Sequence, residues 1–174
     1  MPPQLIFMLH LILGYAACLL CYRSYVLPRL RAMNRIDAQR VIATVHSFRF
    51  FGLVFLLPGV VGPNLPAGFA TFAAYWDFTT GILALLTLLT ARVRPLFWLF
   101  VGAFNLVGTI DLIVNYYHAI KVGVPELAGQ FGAAYLVPTL YVPILMITHM
   151  TAFYLLIRPE HQVVQETPAE VVSS

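Results

Sequence analysis

The chain has 174 residues, 60% of them hydrophobic and 10% charged, with a formal net charge of +3 and a mean hydropathy of +0.84. A soluble domain is about one quarter charged, so this composition excludes a soluble fold, which could not hide so much apolar surface. Nor does the basic balance point to nucleic acid: the arginines lie between apolar runs rather than in an aromatic-interleaved patch, and lipid headgroups are their expected partners.

The first apolar run, Gln4 to Tyr22, is close to the 20 or so residues that a helix needs to cross a hydrocarbon core of about 30 Å. It lacks a positive n-region and is followed by Arg23, Arg29 and Arg31, so it reads as a retained span and not a signal peptide. Cys18 and Cys21 form a C-x-x-C inside it, but without further metal ligands or a βαβ setting their expected role is packing. The connector from Arg23 to Arg40 sets five arginines against Asp37 and is expected to lie as a short helix at the interface. A second run, Val41 to Val61, ends in Pro58, Gly59, Gly62, Pro63, Asn64 and Pro66, residues that stop a helix and turn the chain. The third run covers about 71–91, and Arg92, Arg94 and Pro95 make a tight basic turn into the fourth, about 96–117. A loop with Lys121, Gly123, Pro125, Glu126 and Gly129 leads to the last run, 131–157. The polar tail, 159–174, carries three glutamates and is expected to be disordered on the cytoplasmic side.

These runs predict an all-α, polytopic membrane bundle of about five transmembrane helices in a single domain, residues 1–158. Arg23, Arg29, Arg31, Arg35, Arg40, Arg92, Arg94 and Arg158 fall on one side and Lys121 on the other, so the positive-inside rule puts the N-terminus outside and the C-terminus inside. No internal repeat supports an inverted-repeat transporter.

Ionisable groups inside a bilayer are costly and usually face the bundle interior. On the fourth run Asn105, Gly108, Asp111, Asn115 and His118 follow at spacings of three or four and share one helix face. On the third, Asp77, Thr80, Gly81, Ala84 and Thr87 make a small and polar face, so the two helices are expected to pack along these stripes. At about 1.5 Å per residue, Asp77 and Asp111 both lie roughly 9 Å below the outer end, with His10 at a similar level. Two carboxylates at one depth could share a proton, or each could simply fasten helices. Nearer the cytoplasm His46 and Arg49 share a face of the second run, and Arg49 and His149 both lie roughly 12 Å deep. Arg49 is expected to snorkel to lipid phosphates, and an alternative places a b-type haem between His46 and His149. Pro138 and Pro143 should bend the last helix, opening space for an aromatic pocket of Tyr135, Tyr141, Phe104 and Trp76.

The stretches His46–Leu53, Phe104–Leu112 and Gly132–Thr139, with Ile147-Thr148-His149, resemble those of small uncharacterised bacterial polytopic integral membrane proteins, which implies a bacterial inner membrane. Asp77, Asp111 and the proline-containing last span are also similar to the sterol isomerase and sigma-2 receptor superfamily, whose members bury acidic residues in a bundle that holds lipophilic amines or sterols. The glutamates of that superfamily are missing from this chain.

The leading expectation is a binding protein for a small lipophilic or amphipathic ligand. Its candidate ligand-binding residues are Asp77, Asn105, Asp111, Asn115, Tyr135 and His149, with His46 and Arg49 as a second polar cluster and no metal. The alternatives are a non-catalytic subunit that pairs with another membrane protein or a second copy of itself, and an enzyme of lipid or isoprenoid metabolism using aspartate acid/base chemistry. Ser-His-Asp order, P-loop, Rossmann glycines and His-Glu-x-x-His are all absent from the sequence, which leaves soluble-type catalysis without a basis.

Overall fold

The computed structural model describes residues 1–158; the tail expected to be disordered lies outside the described residues. The regular structure within them is helical. In chain order it comprises α1 (Pro3–Ala32), α2 (Arg35–Ser47) continued by 3-10 turns over Phe48–Leu56, α3 (Ala67–Leu89), α4 (Arg94–Lys121), 3-10 turns over Ala128–Tyr135 and α5 (Val137–Ile157). Four of these helices, α1, α3, α4 and α5, are long and apolar enough to cross a membrane, which makes this a membrane protein.

The basic connector is not the separate interfacial helix expected from its charge. Helix α1 runs on through Arg23 to Ala32, absorbing Pro28, which has no N–H to give, behind a π turn over Tyr22–Val26. The helix stops at Met33, where the backbone is extended. Asn34 then caps α2, its side-chain oxygen accepting from the Asp37 amide at 2.9 Å, which satisfies an otherwise orphaned donor. The second apolar run therefore enters as the tail of a helix that starts six residues earlier, at Arg35 and not at Val41, and finishes as 3-10 turns.

At about 1.5 Å per residue in α2 and about 2.0 Å in the 3-10 turns, residues 35–56 still extend for more than a bilayer core. They run antiparallel to α3 along its length. Ala43 packs in one cluster with Ala84, the backbone of Arg49 and Phe50 lies against Gly81, Gly52 lies against Asp77, and Phe55 packs with Ala73 and Ala74. Small residues at each crossing let the backbones approach closely.

Two apolar clusters close the ends of the bundle. One, around Phe7, Phe55, Ala74 and Phe131, sits where the 57–66 loop meets the 3-10 turns before α5. There the Gly62 amide donates to the Gln130 carbonyl at 2.7 Å, and Gly132, at φ 50°, presses on the Val60 carbonyl so closely that a Cβ would collide with it. The other, around Leu30, Ile42, Ala84, Phe97 and Phe104, lies at the end that carries the arginines: Arg35 Nη2 donates to the Arg158 carbonyl at 2.6 Å and Arg158 Nη1 to the Arg31 carbonyl at 3.3 Å. In α5 the prolines do produce an irregular stretch, a π turn over Val137–Tyr141. Pro143 cannot supply the amide that a helical Thr139 carbonyl would receive, and Gly14 of α1 packs directly onto that carbonyl.

Candidate functional site

A polar layer separates the two apolar clusters, and Arg49 is its centre. The side chain has no exposed surface. Its Nε donates to Asp77 Oδ1 at 2.7 Å, its Nη2 lies 2.6 Å from the same oxygen and also pairs with Asp111 Oδ2, and its Nη1 donates to His149 Nε2 at 3.2 Å. A guanidinium has donors only, so His149 Nε2 accepts and the ring proton sits on Nδ1. That nitrogen donates to Asn105 Oδ1 at 3.0 Å, and the Asn105 amide passes on to the Val101 carbonyl at 2.9 Å. Asp111 Oδ1 in turn accepts from Asn115 Nδ2 at 2.6 Å. His46 packs against His149, ring centroids 3.9 Å apart and planes tilted by 39°, with its Nε2 3.0 Å from Thr148 Oγ1.

Glycines make room for this layer. A Cβ at Gly108 would lie 2.5 Å from His149 Nε2 and 2.7 Å from Arg49 Nη1, and one at Gly52 would lie 2.6 Å from Asp77 Oδ2. Any larger residue at either position displaces an ionic group. The layer is thus assembled from five segments: α2 brings His46, the 3-10 turns bring Arg49, α3 brings Asp77, α4 brings Asn105, Asp111 and Asn115, and α5 brings His149.

Burial makes each unpaired charge expensive, which is why these groups are found in contact. Two carboxylates face one guanidinium, however, and with both ionised the trio keeps one negative charge in excess. Such a group can hold one proton between its ionised forms.

Beside the layer, towards the Phe131 cluster, lies a cavity of about 130 Å³. Phe7, Leu11, Phe55, Phe131 and Pro138 contribute apolar wall, while Asp77, Asn115 and Tyr116 contribute the polar part. Met8 and Ile120 also belong to the wall and are themselves outward-facing, so the cavity reaches the bundle surface between α1 and α4. Asn115 Oδ1 is a buried acceptor without a hydrogen-bond partner among the described residues, an arrangement that costs about 1–3 kcal/mol unless a donor meets it.

Of the candidate residues, the structure brings Asp77, Asn105, Asp111, Asn115 and His149 together with Arg49 and His46 in one layer. The two clusters expected at different depths are therefore one, and the carboxylates do not meet each other directly but across Arg49. The snorkelling expected of Arg49 is overturned: its head is fully buried and turned towards the carboxylates, because backbone depth does not fix where a long side chain ends. Tyr135 stands apart, sharing a 2.9 Å hydrogen bond with His10 and packing edge-on against Phe7. The aromatic pocket is also differently built, since Phe104 belongs to the opposite cluster and Trp76 is partly exposed. A haem does not fit between His46 and His149. Metal–nitrogen bonds of about 2 Å would hold two axial rings about 6 Å apart between centroids, and both nitrogens of His149 are already hydrogen-bonded. No group of three or more potential metal ligands occurs among the described residues. Gly52, Thr148 and the wall residues Phe7, Phe55 and Phe131 were not singled out by the sequence. Gly52 could have been, since it lies one helical step of three from Arg49.

The chain belongs to the family described as "Domain of unknown function (DUF8737)", whose family model matches residues 6–157. No curated protein and no solved structure matches it.

Proposed function

We propose, with that membership as the premise and the site as the guide to activity, that this is a membrane-embedded binding protein for a small lipophilic or amphipathic ligand. The ligand would sit in the cavity with its polar end at Asp77 and Asn115. The supporting observation is the combination of an apolar cavity with a few convergent polar groups, one of them a buried acceptor lacking a donor, which is the usual design of a small-molecule site. A volume of about 130 Å³ is close to that of an engineered cavity that accepts benzene, so the ligand is small or inserts only one end.

We place the chain in a bacterial inner membrane with five crossings, the N-terminus outside and the C-terminus inside. Residues 35–56 supply the fifth crossing because they accompany α3 throughout, and the gathering of Arg31, Arg35 and Arg158 at one end supports that end as cytoplasmic. The cavity then opens in the outer half of the bilayer. Reporter fusions after Asn64 and Glu126 should read outside, and those after Arg31, Arg94 and Ser174 inside; a periplasmic signal from Ser174 would remove this topology.

The binding reading is tested by mass spectrometry of material extracted from protein purified in mild detergent. Wild type should carry a lipid-like small molecule, and Ala119→Phe, which fills the cavity from its α4 wall, should fold and lose it. Wild type without such a mass, and with a melting temperature indifferent to benzene-sized additives, would sink the reading.

A further inference from the structure

The Asn115 amide is held by one atom only. Nδ2 donates to Asp111 Oδ1 at 2.6 Å, whereas Oδ1 is buried with no hydrogen-bond partner among the described residues, in a residue of the cavity wall. Turning a primary amide about its Cβ–Cγ bond exchanges a donor for an acceptor at nearly the same position. An ionised Asp111 only accepts, and so it holds the amide as it stands. A protonated Asp111 carries an O–H that donates, and this matches the turned amide, whose oxygen then faces the carboxyl and whose NH2 takes the place of the unpartnered oxygen.

Resting on the cavity reading above, we infer that Asp111 and Asn115 form a proton-operated polarity switch: the cavity takes a lipophilic hydrogen-bond donor when Asp111 is ionised and a lipophilic acceptor when it is protonated. The proton is taken from water onto Asp111 Oδ1 and returned to water on release. No other bond is made or broken.

The surroundings allow this exchange. Asp111 is faced by Arg49 from the 3-10 turns, by Asp77 of α3 across that guanidinium, by His149 of α5 through Arg49 Nη1 and by Asn115 of its own helix. His46 of α2 touches the layer through His149. The Tyr141 hydroxyl is committed to the Val45 carbonyl at 3.2 Å, and the Tyr116 hydroxyl to Tyr15 of α1 at 2.6 Å. The excess carboxylate over Arg49 leaves a place for one proton. Asp77 directs a single oxygen at two nitrogens of Arg49, Nε and Nη2, while Asp111 divides its oxygens between Arg49 and Asn115. Asp111 is therefore the carboxyl whose proton an amide can accept.

The signs follow from linkage. A donor ligand favours the ionised form, expels the proton and binds more weakly as pH falls through the titration of Asp111; an acceptor ligand does the reverse. The test is isothermal titration of the full chain in detergent, blanked with empty micelles, using pyrrole as a donor, cyclopentanone as an acceptor and toluene as neither. Between pH 8 and pH 5, pyrrole should weaken at least fivefold, cyclopentanone should tighten at least fivefold and toluene should stay unchanged. In Asn115→Leu the opposed pH trends of pyrrole and cyclopentanone should disappear. If toluene binds wild type but pyrrole and cyclopentanone show no opposed trends, the switch is overturned and the cavity reading stands. If none of the three binds, the cavity reading falls and the switch with it. Should Asn115→Leu not fold, the wild-type series decides by itself.

Discussion

The two ends of the bundle are built from the same kinds of residue and packed to different degrees. At the arginine-bearing end Ala43, Ala84, Phe97, Val101, Phe104 and Ala152 have no exposed surface. At the other end Phe131 is as fully buried, yet it borders a cavity of about 130 Å³. Helices in lipid associate through van der Waals packing rather than through the hydrophobic effect, so side chains that face a cavity lose contacts that their counterparts at the packed end keep. Phenylalanines and alanines pack together in the first end. The second end keeps a cavity beside Asp77 and Asn115, and the proposed ligand would sit there.

The polar layer between the ends should give the largest response. Arg49→Met leaves two buried carboxylates without a cation and should cost about 3–5 kcal/mol, read as loss of monodisperse protein in size-exclusion chromatography; a variant as stable as wild type would mean that the layer is not ionic. In the packed end, Phe97→Ala should cost about 3–5 kcal/mol, at or just below the same level in thermal melts, because its neighbours have no spare volume to redistribute. Gly108→Ala pushes a methyl group against His149 and Arg49 and should cost about 1–3 kcal/mol; a neutral melting temperature would show that the layer relaxes freely. In the end with the cavity the sign should reverse. Ala119→Leu fills part of the void and should raise stability by about 1 kcal/mol in ligand-free protein, and destabilisation there would mean that the two ends are equally packed.

Much of the molecule was legible because its signals are local. Hydropathy gave the helical membrane character, and the three- and four-residue spacing of Asn105, Gly108, Asp111 and Asn115 gave the buried face of α4 correctly. The position of Asp77 on a small-residue stripe of α3 was legible for the same reason. What stayed hidden depends on tertiary geometry. The depth of Arg49 was read from its backbone, but the fate of its head is set by Gly52, Gly81 and Gly108, which lie on three different segments. The 3-10 conformation of Phe48–Leu56 escaped because an apolar run of that length carries no period to separate it from an α-helix. The cavity wall escaped because it joins Phe7 of α1 to Phe131 beyond α4, a meeting no single stretch of sequence announces.

The central claim is that one buried guanidinium serves two carboxylates. It is tested most directly by a double-mutant cycle on Asp77→Asn and Asp111→Asn, followed by thermal stability in detergent. Either change alone leaves Arg49 with one carboxylate and a balanced charge, and should cost no more than about 1.5 kcal/mol. Together they strand a buried guanidinium, and the double variant should lose about 3–5 kcal/mol, exceeding the sum of the single losses by at least about 1 kcal/mol. Losses that add to within about 0.5 kcal/mol would contradict the account and leave Asp77 and Asp111 as independent helix fasteners.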